Sequence, residues 1–237
     1  ILIEHATLPF GDYITCLDVD LTIEILHNGK VYAEIQGLCA SLGLSWFDFM
    51  MRFYEKRRTY TPGITRLYDE FSKGMSARLW PDRRTLAISV TDNIDEMLRD
   101  ERGTNEMSMG KATAFFELFD EINDALFTEL RHWLAELGRL DETMSEYVED
   151  LARYSRMRKI QLTDFDAVFE GVFRFDMRAQ ERANFTTPVD ATRLPAARKI
   201  LLAHTASQRE QLSAYVREFG RSHDGLGKML MRYPHVH

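Results

Sequence analysis

The residues best placed for chemistry are four cations that close one short apolar-faced segment: Arg52, Lys56, Arg57 and Arg58. Cations in the last turn of a helix complement its dipole. Beside a helix lying in a DNA major groove, the same long side chains contact phosphates. They would serve equally against an acidic protein surface. Glu129 and His132 are three apart, a spacing that puts two metal ligands on one helix face in di-iron bundles. Such a site needs a second pair and two further carboxylates, so Glu129 and His132 are read as a charged residue and a surface histidine beside Trp133. No nucleophile elbow, phosphate-binding glycine loop or Cys-x-x-Cys pair is present. His223, His235 and His237 read as a polar tail. The expectation is therefore no metal and no cofactor.

The cations sit on the second arm of a helix, turn, helix. Leu38, Cys39 and Leu42 have helical spacing, and Gly43 stands where a left-handed residue closes a helix. Ser45 is a good N-cap with Asp48 three residues on, and Trp46, Phe49, Met50 and Phe53 form an apolar stripe. Upstream, Thr22-Ile23-Glu24-Ile25-Leu26 and Val31-Tyr32-Ala33-Glu34-Ile35 flank His27-Asn28-Gly29-Lys30, which predicts a β-hairpin on an Asn-Gly turn. Downstream, Thr61-Pro62 opens a helix carrying Ile64, Leu67, Tyr68 and Phe71 to Gly74. Arg84 to Val90 is β-prone and would join the hairpin's sheet, with Thr91 capping a short helix through Ile94 and Leu98. Met107 to Leu137 predicts one long helix ended by Gly138. Asp141 then caps a helix to about Lys159, Thr163 or Asp164 starts one to about Asn184, and Leu194 to Gly220 supplies the last. The expected fold class is α+β, mostly α: a small domain containing the β-hairpin over residues 1–138, then a helical bundle over 139–237.

The 237 residues carry 45% hydrophobic content, enough for a sizeable core. A formal charge of −7 argues against a protein that coats nucleic acid nonspecifically. Cys16 and Cys39 lie in apolar stretches and read as buried thiols in a reducing compartment, with the cytoplasm as default. No apolar run reaches membrane-span length and no signal segment opens the chain. The C-terminal residues Ile200, Leu201, Leu212, Tyr215, Val216 and Phe219 form an apolar face. It serves either an internal bundle or a partner, which includes a second copy of the chain.

The order of elements around His27-Asn28-Gly29-Lys30, Leu38 to Trp46, and Leu86-Ala87-Ile88-Ser89-Val90-Thr91 resembles the Bro-N-type amino-terminal domain of phage antirepressors, over roughly residues 10–135. The resemblance implies a regulator of a mobile element that binds DNA or a repressor protein, with Arg52, Lys56, Arg57 and Arg58 as contact residues. The long helix from Thr61 to Gly74 departs from that pattern. A rival resemblance starts at Tyr13 to Thr22, an apolar run followed by Asp18-Val19-Asp20-Leu21-Thr22. It is similar to the first motif of haloacid-dehalogenase-type phosphotransferases, with Thr91 closing the second motif and Lys159, Asp164 and Asp166 following in order. That resemblance implies Mg²⁺-dependent phosphatase chemistry, Asp18 attacking phosphorus and Asp20 serving as acid and base. Otherwise Asp18 and Asp20 are solvent-facing residues of an alternating strand.

Overall fold

A computed structural model describes residues 8–232 except 29, 78, 81, 96–104 and 161–164. Along the chain run α1 (Phe10–Leu26), α2 (Ala33–Ser41), α3 (Trp46–Lys56), α4 (Pro62–Ala77), α5 (Arg83–Asp92), α6 (Glu106–Phe116), α7 (Phe119–Glu136) and α8 (Glu142–Ile160). Then come β1 (Val168–Phe175), α9 (Met177–Arg182), a 3₁₀ turn (Val189–Thr192), β2 (Arg193–Ala203), α10 (Ala206–Phe219) and α11 (His223–Arg232). The chain is α+β and mostly α, and its two-stranded sheet lies in the second half, not the first.

The expected N-terminal hairpin is two helices. Asp18, Leu21, Thr22, Ile25 and Leu26 are the buried residues of α1, a three-four spacing that puts them on one helix face. That burial overrides the β-branched preference of Thr22, Ile23 and Ile25. The turn itself is where the sequence places it: the Asn28 amide donates to the Ile23 carbonyl at 3.0 Å and Lys30 has φ 55°. Gly29 is outside the described residues. The turn joins α1 to α2, whose Glu34, Ile35, Gly37, Leu38 and Cys39 are buried.

Gly43 ends α2 at φ +66°, with the Leu44 amide on the Cys39 carbonyl at 2.8 Å and the Gly43 amide on Ala40 at 3.0 Å. These are the two bonds of a Schellman stop. Ser45 then caps α3, its hydroxyl accepting from the Asp48 amide at 3.1 Å. Ser45→Ala should cost about 1 kcal/mol in urea unfolding; an unchanged midpoint would mean that packing of Phe49, Met50 and Phe53 alone sets this helix.

Other expectations change. Arg84 to Val90 is helical, capped by Asp82, which accepts from the Thr85 amide at 2.8 Å and whose carboxyl those Thr85 bonds hold below its usual range. Thr91 lies inside that helix and donates to the Ala87 carbonyl instead of capping a new one, and Leu98 falls outside the described residues. α4 continues through Gly74 to Ala77. The single helix expected from Met107 to Leu137 breaks at Glu117 and Leu118, where buried Leu118 turns in against Gly63 of α4. Gly138 and the Asp141 cap fall where expected.

The two C-terminal helices expected over 164–184 and 194–220 each hold a strand, Val168–Phe175 and Arg193–Ala203. Thr163 and Asp164 lie outside the described residues, and Val168 to Phe175 alternates with a period of two. β1 pairs antiparallel with β2 in the register Val168↔Ala203, Glu170↔Leu201 and Val172↔Lys199. Phe173 and Phe175 project inward onto α8, meeting Tyr154 and Tyr147 edge to face at 5.7 and 5.2 Å. The helical reading held over Met177–Arg182 and from Ala206, where Thr205 and Gln208 form a capping box. Among the described residues no helix is long and apolar enough to cross a membrane.

Candidate functional site

The helix-turn-helix outline is present, and its cations are turned onto carboxylates of neighbouring helices. Arg52 Nε lies 3.0 Å from Glu129 Oε1 and its Nη2 2.8 Å from Glu136. Lys56 Nζ reaches both Glu129 oxygens at 2.9 Å. Glu129, only 1% exposed, also accepts from the Tyr60 hydroxyl at 3.4 Å. Burial, with that carboxylate beside it, pushes the Tyr60 hydroxyl well up. Arg57 lies 3.8 Å over the Tyr54 ring, donates to the Tyr54 carbonyl at 2.9 Å and meets Asp18 at 3.4 Å. Arg58 pairs with Asp69 at 2.8 Å, both 54% exposed. Of the four, Arg58 has the most exposed side chain; Arg52, Lys56 and Arg57 tie α3 to α7 and α1.

The aspartates of the phosphatase reading lie on a helix, not on a strand and its following loop. Two residues along a helix is about 200° of rotation, so Asp18 and Asp20 face apart. Asp18 is buried, accepting from Ser72 Oγ at 2.6 Å and from Arg57, whereas Asp20 is exposed. Thr91 is on α5 with its hydroxyl bonded within that helix. Lys159 is buried against Glu34. These groups do not converge.

Glu129 is taken by Arg52 and Lys56, and His132 is exposed. A second Glu-x-x-His, Glu24 and His27, escapes the reading of the sequence given above. Glu24 pairs with buried Lys111 at 2.7 Å, and His27 Nδ1 accepts from Trp46 Nε1 at 3.2 Å. Among the described residues no group of three or more His, Cys, Asp or Glu is placed to hold a metal ion. Cys39 is buried, which raises its thiol to about 12; Cys16, expected to be buried too, is on the exposed side of α1.

Two features went unread. The first is an ionic network between α2, α7, α8 and α9. Glu34, fully buried, is bonded by Lys159, by Ser155 Oγ at 2.5 Å and by Arg158 at 3.4 Å. Asn123 of α7 lies 3.1 Å from Ser155 Oγ. Arg158 lies 3.0 Å from Glu181, which also takes Arg178 at 3.2 Å and the Tyr154 hydroxyl at 2.5 Å. Burial acts to raise the Glu34 carboxyl, but Lys159 and Arg158 together hold it below the ordinary value. Burial lowers the Lys159 ammonium to about 8 against the pull of Glu34.

The second is the outer face of the sheet. Val168, Val172 and Leu201 are 63, 54 and 55% exposed there, interleaved with the Glu170 and Lys199 pair. The flanking backbone is already occupied. The Val172 carbonyl accepts from Arg153 at 2.5 Å, the Arg174 amide donates to Asp150 at 2.5 Å, and the Leu201 carbonyl accepts from Arg178 at 3.2 Å. What remains open is an apolar strip between Arg153 on one edge and Arg178 on the other, with Lys199 also exposed. The alternation of Val168, Glu170 and Val172 was the available signal, hidden by reading the stretch as helix. Comparison with protein-family models, curated proteins and solved structures finds no match to this chain.

Proposed function

We infer that this chain is a regulatory binding protein whose ligand is another protein, docked on the outer face of β1 and β2. The observation that carries the reading is the apolar strip of Val168, Val172 and Leu201 rimmed by Arg153, Arg178 and Lys199, each paired with a carboxylate yet with its side chain 40% or more exposed. An unpartnered apolar patch with a charged rim is the pattern of an interaction surface. Its charge selects the partner: an amphipathic helix with an apolar stripe and acidic flanks complements it, the helix-in-groove mode of recognition. A repressor-type protein presenting such a helix is one partner of this kind. The pairing of Arg52, Lys56 and Arg57 with buried or half-buried carboxylates weighs for protein over DNA, since phosphate contacts would have to break those pairs.

Fluorescence anisotropy tests this with a synthetic helical peptide bearing leucine on one face and glutamate on its flanks, against the same peptide with lysine flanks. The acidic peptide should bind, and Leu201→Glu should weaken it by about tenfold or more. Equal binding of both peptides, or an unaffected Leu201→Glu variant, overturns the reading. A parallel titration with mixed duplex DNA uses Arg58→Ala, because replacing Arg57 would strip a stacked and paired side chain from the core. Tight binding whose salt slope shrinks in Arg58→Ala would move the function to DNA.

A further inference from the structure

Arg178 and Arg182 are four residues apart on α9 and so lie on one helix face. Both line a cleft of about 520 Å³ together with Glu181 and Asn184. Beneath it is the ionic network: the Glu181 carboxylate, nine-tenths buried, is held by Arg158, Arg178 and Tyr154. Among the described residues that line the cleft, Arg178 and Arg182 stand against one carboxylate, Glu181, an excess of one positive charge in a chain whose net charge is −7. Arg182 is exposed and has no ion-pair partner among the described residues. The rim is held in place. Asn184 and Phe185 both adopt left-handed backbone, at φ 51° and 58°, while buried Phe185 packs into the core and its amide donates to the Gln180 carbonyl at 2.6 Å.

We propose that this cleft is an anion site for a small organic phosphate monoester, with Arg178 and Arg182 gripping the phosphoryl oxygens and Asn184 at the rim. Two guanidinium groups one turn apart on one helix face suit a single phosphoryl group, Arg182 with all its donors and Arg178 with those that Glu181 and Leu201 leave, and arginine's planar fork suits that contact better than lysine. The volume exceeds what a bare phosphate fills and falls within the range of small-molecule sites. The site shares Arg178 with the edge of the sheet face, so its test replaces Arg182 and leaves Arg178 in place.

The test is calorimetric titration of the full chain with phenyl phosphate and with inorganic phosphate, using wild type, Arg182→Ala and Arg66→Ala. Arg66, exposed on α4, serves as a control for general surface charge. Phenyl phosphate should bind saturably and more tightly than inorganic phosphate. Arg182→Ala should weaken it by about tenfold or more, and Arg66→Ala should leave it unchanged. Absence of saturable binding, full retention in Arg182→Ala, or an equal loss in Arg66→Ala would overturn the site; equal affinity for the two probes would overturn the organic ligand.

Discussion

Glu34→Gln should destabilise the protein by about 3–5 kcal/mol, the usual consequence of leaving buried charge uncompensated. The side chains of Lys159 and Arg158 are 3 and 9% exposed; Lys159 pairs with this carboxylate, and Arg158 shares itself between it and Glu181. Glutamine keeps the shape and an acceptor for Ser155, so the loss isolates the charge. The pH dependence separates this from a packing defect. The Glu34 carboxyl is held below its unfolded value, so its contribution is present above the ordinary carboxylate range and is lost as pH falls through the folded pKa. Lys159 runs the other way. Its folded value near 8 lies below the ordinary 10.5, so between those values the unfolded chain binds more protons and stability rises with pH. Without Glu34 the ammonium is harder still to keep charged, and shedding its proton relieves the variant. Urea unfolding should therefore show a larger wild-type advantage at pH 6 than at pH 9. A difference that does not move with pH would sink the electrostatic account. Replacing both partners by apolar residues, Glu34→Leu with Lys159→Met, should recover much of the loss, because an ion pair of this kind is costly to break and of modest net worth.

Gly37→Val should be nearly as damaging, about 3 kcal/mol or more, at the upper end of overpacking costs. A Cβ at Gly37 would run into the carbonyl oxygen of Asn184 and come within 2.8 Å of the Phe185 Cβ. The first obstruction is backbone and cannot rotate away. Asn184 and Phe185 are already in left-handed conformations that cost about 1–3 kcal/mol each, so this loop has little freedom to retreat. Gly37→Ala should show a smaller loss in the same direction. A melting temperature unchanged in Gly37→Val would mean that the α2 contact with this loop contributes little.

Much of the helical framework could be read in the residues, and the reasons for the failures are specific. Gly43, Ser45, Gly138 and Asp141 act through local backbone chemistry and stand where their types put them. Stretches such as Thr22 to Leu26 and Arg84 to Val90 carry β-branched residues in helices, and in α1 what decides is which face is buried, a property of partners distant in sequence. The spacing of Asp18, Leu21, Thr22, Ile25 and Leu26 held the answer, but two of those positions are polar and broke the apparent stripe. The reverse error befell β1, where Glu170, Gly171 and Arg174 interrupt the apolar run and its period of two passed for helix. Arg52, Lys56, Arg57 and Arg58 do cluster, as their spacing implies. That their partners are Glu129, Glu136, Asp18 and Asp69 depends on contacts 11 to 84 residues away, beyond any local pattern.

A two-stranded ribbon is the smallest sheet there is, and bare edges on it would offer a template for further strands from other molecules. Here Arg153 and Asp150 occupy the Val172 carbonyl and the Arg174 amide of β1, and Arg178 the Leu201 carbonyl of β2. At these positions an incoming strand would first have to displace a charged side chain, which disfavours edge pairing beside the exposed valines and leucine. The arginines thus set a direction of approach: the guarded edges leave the face as the open side of the ribbon.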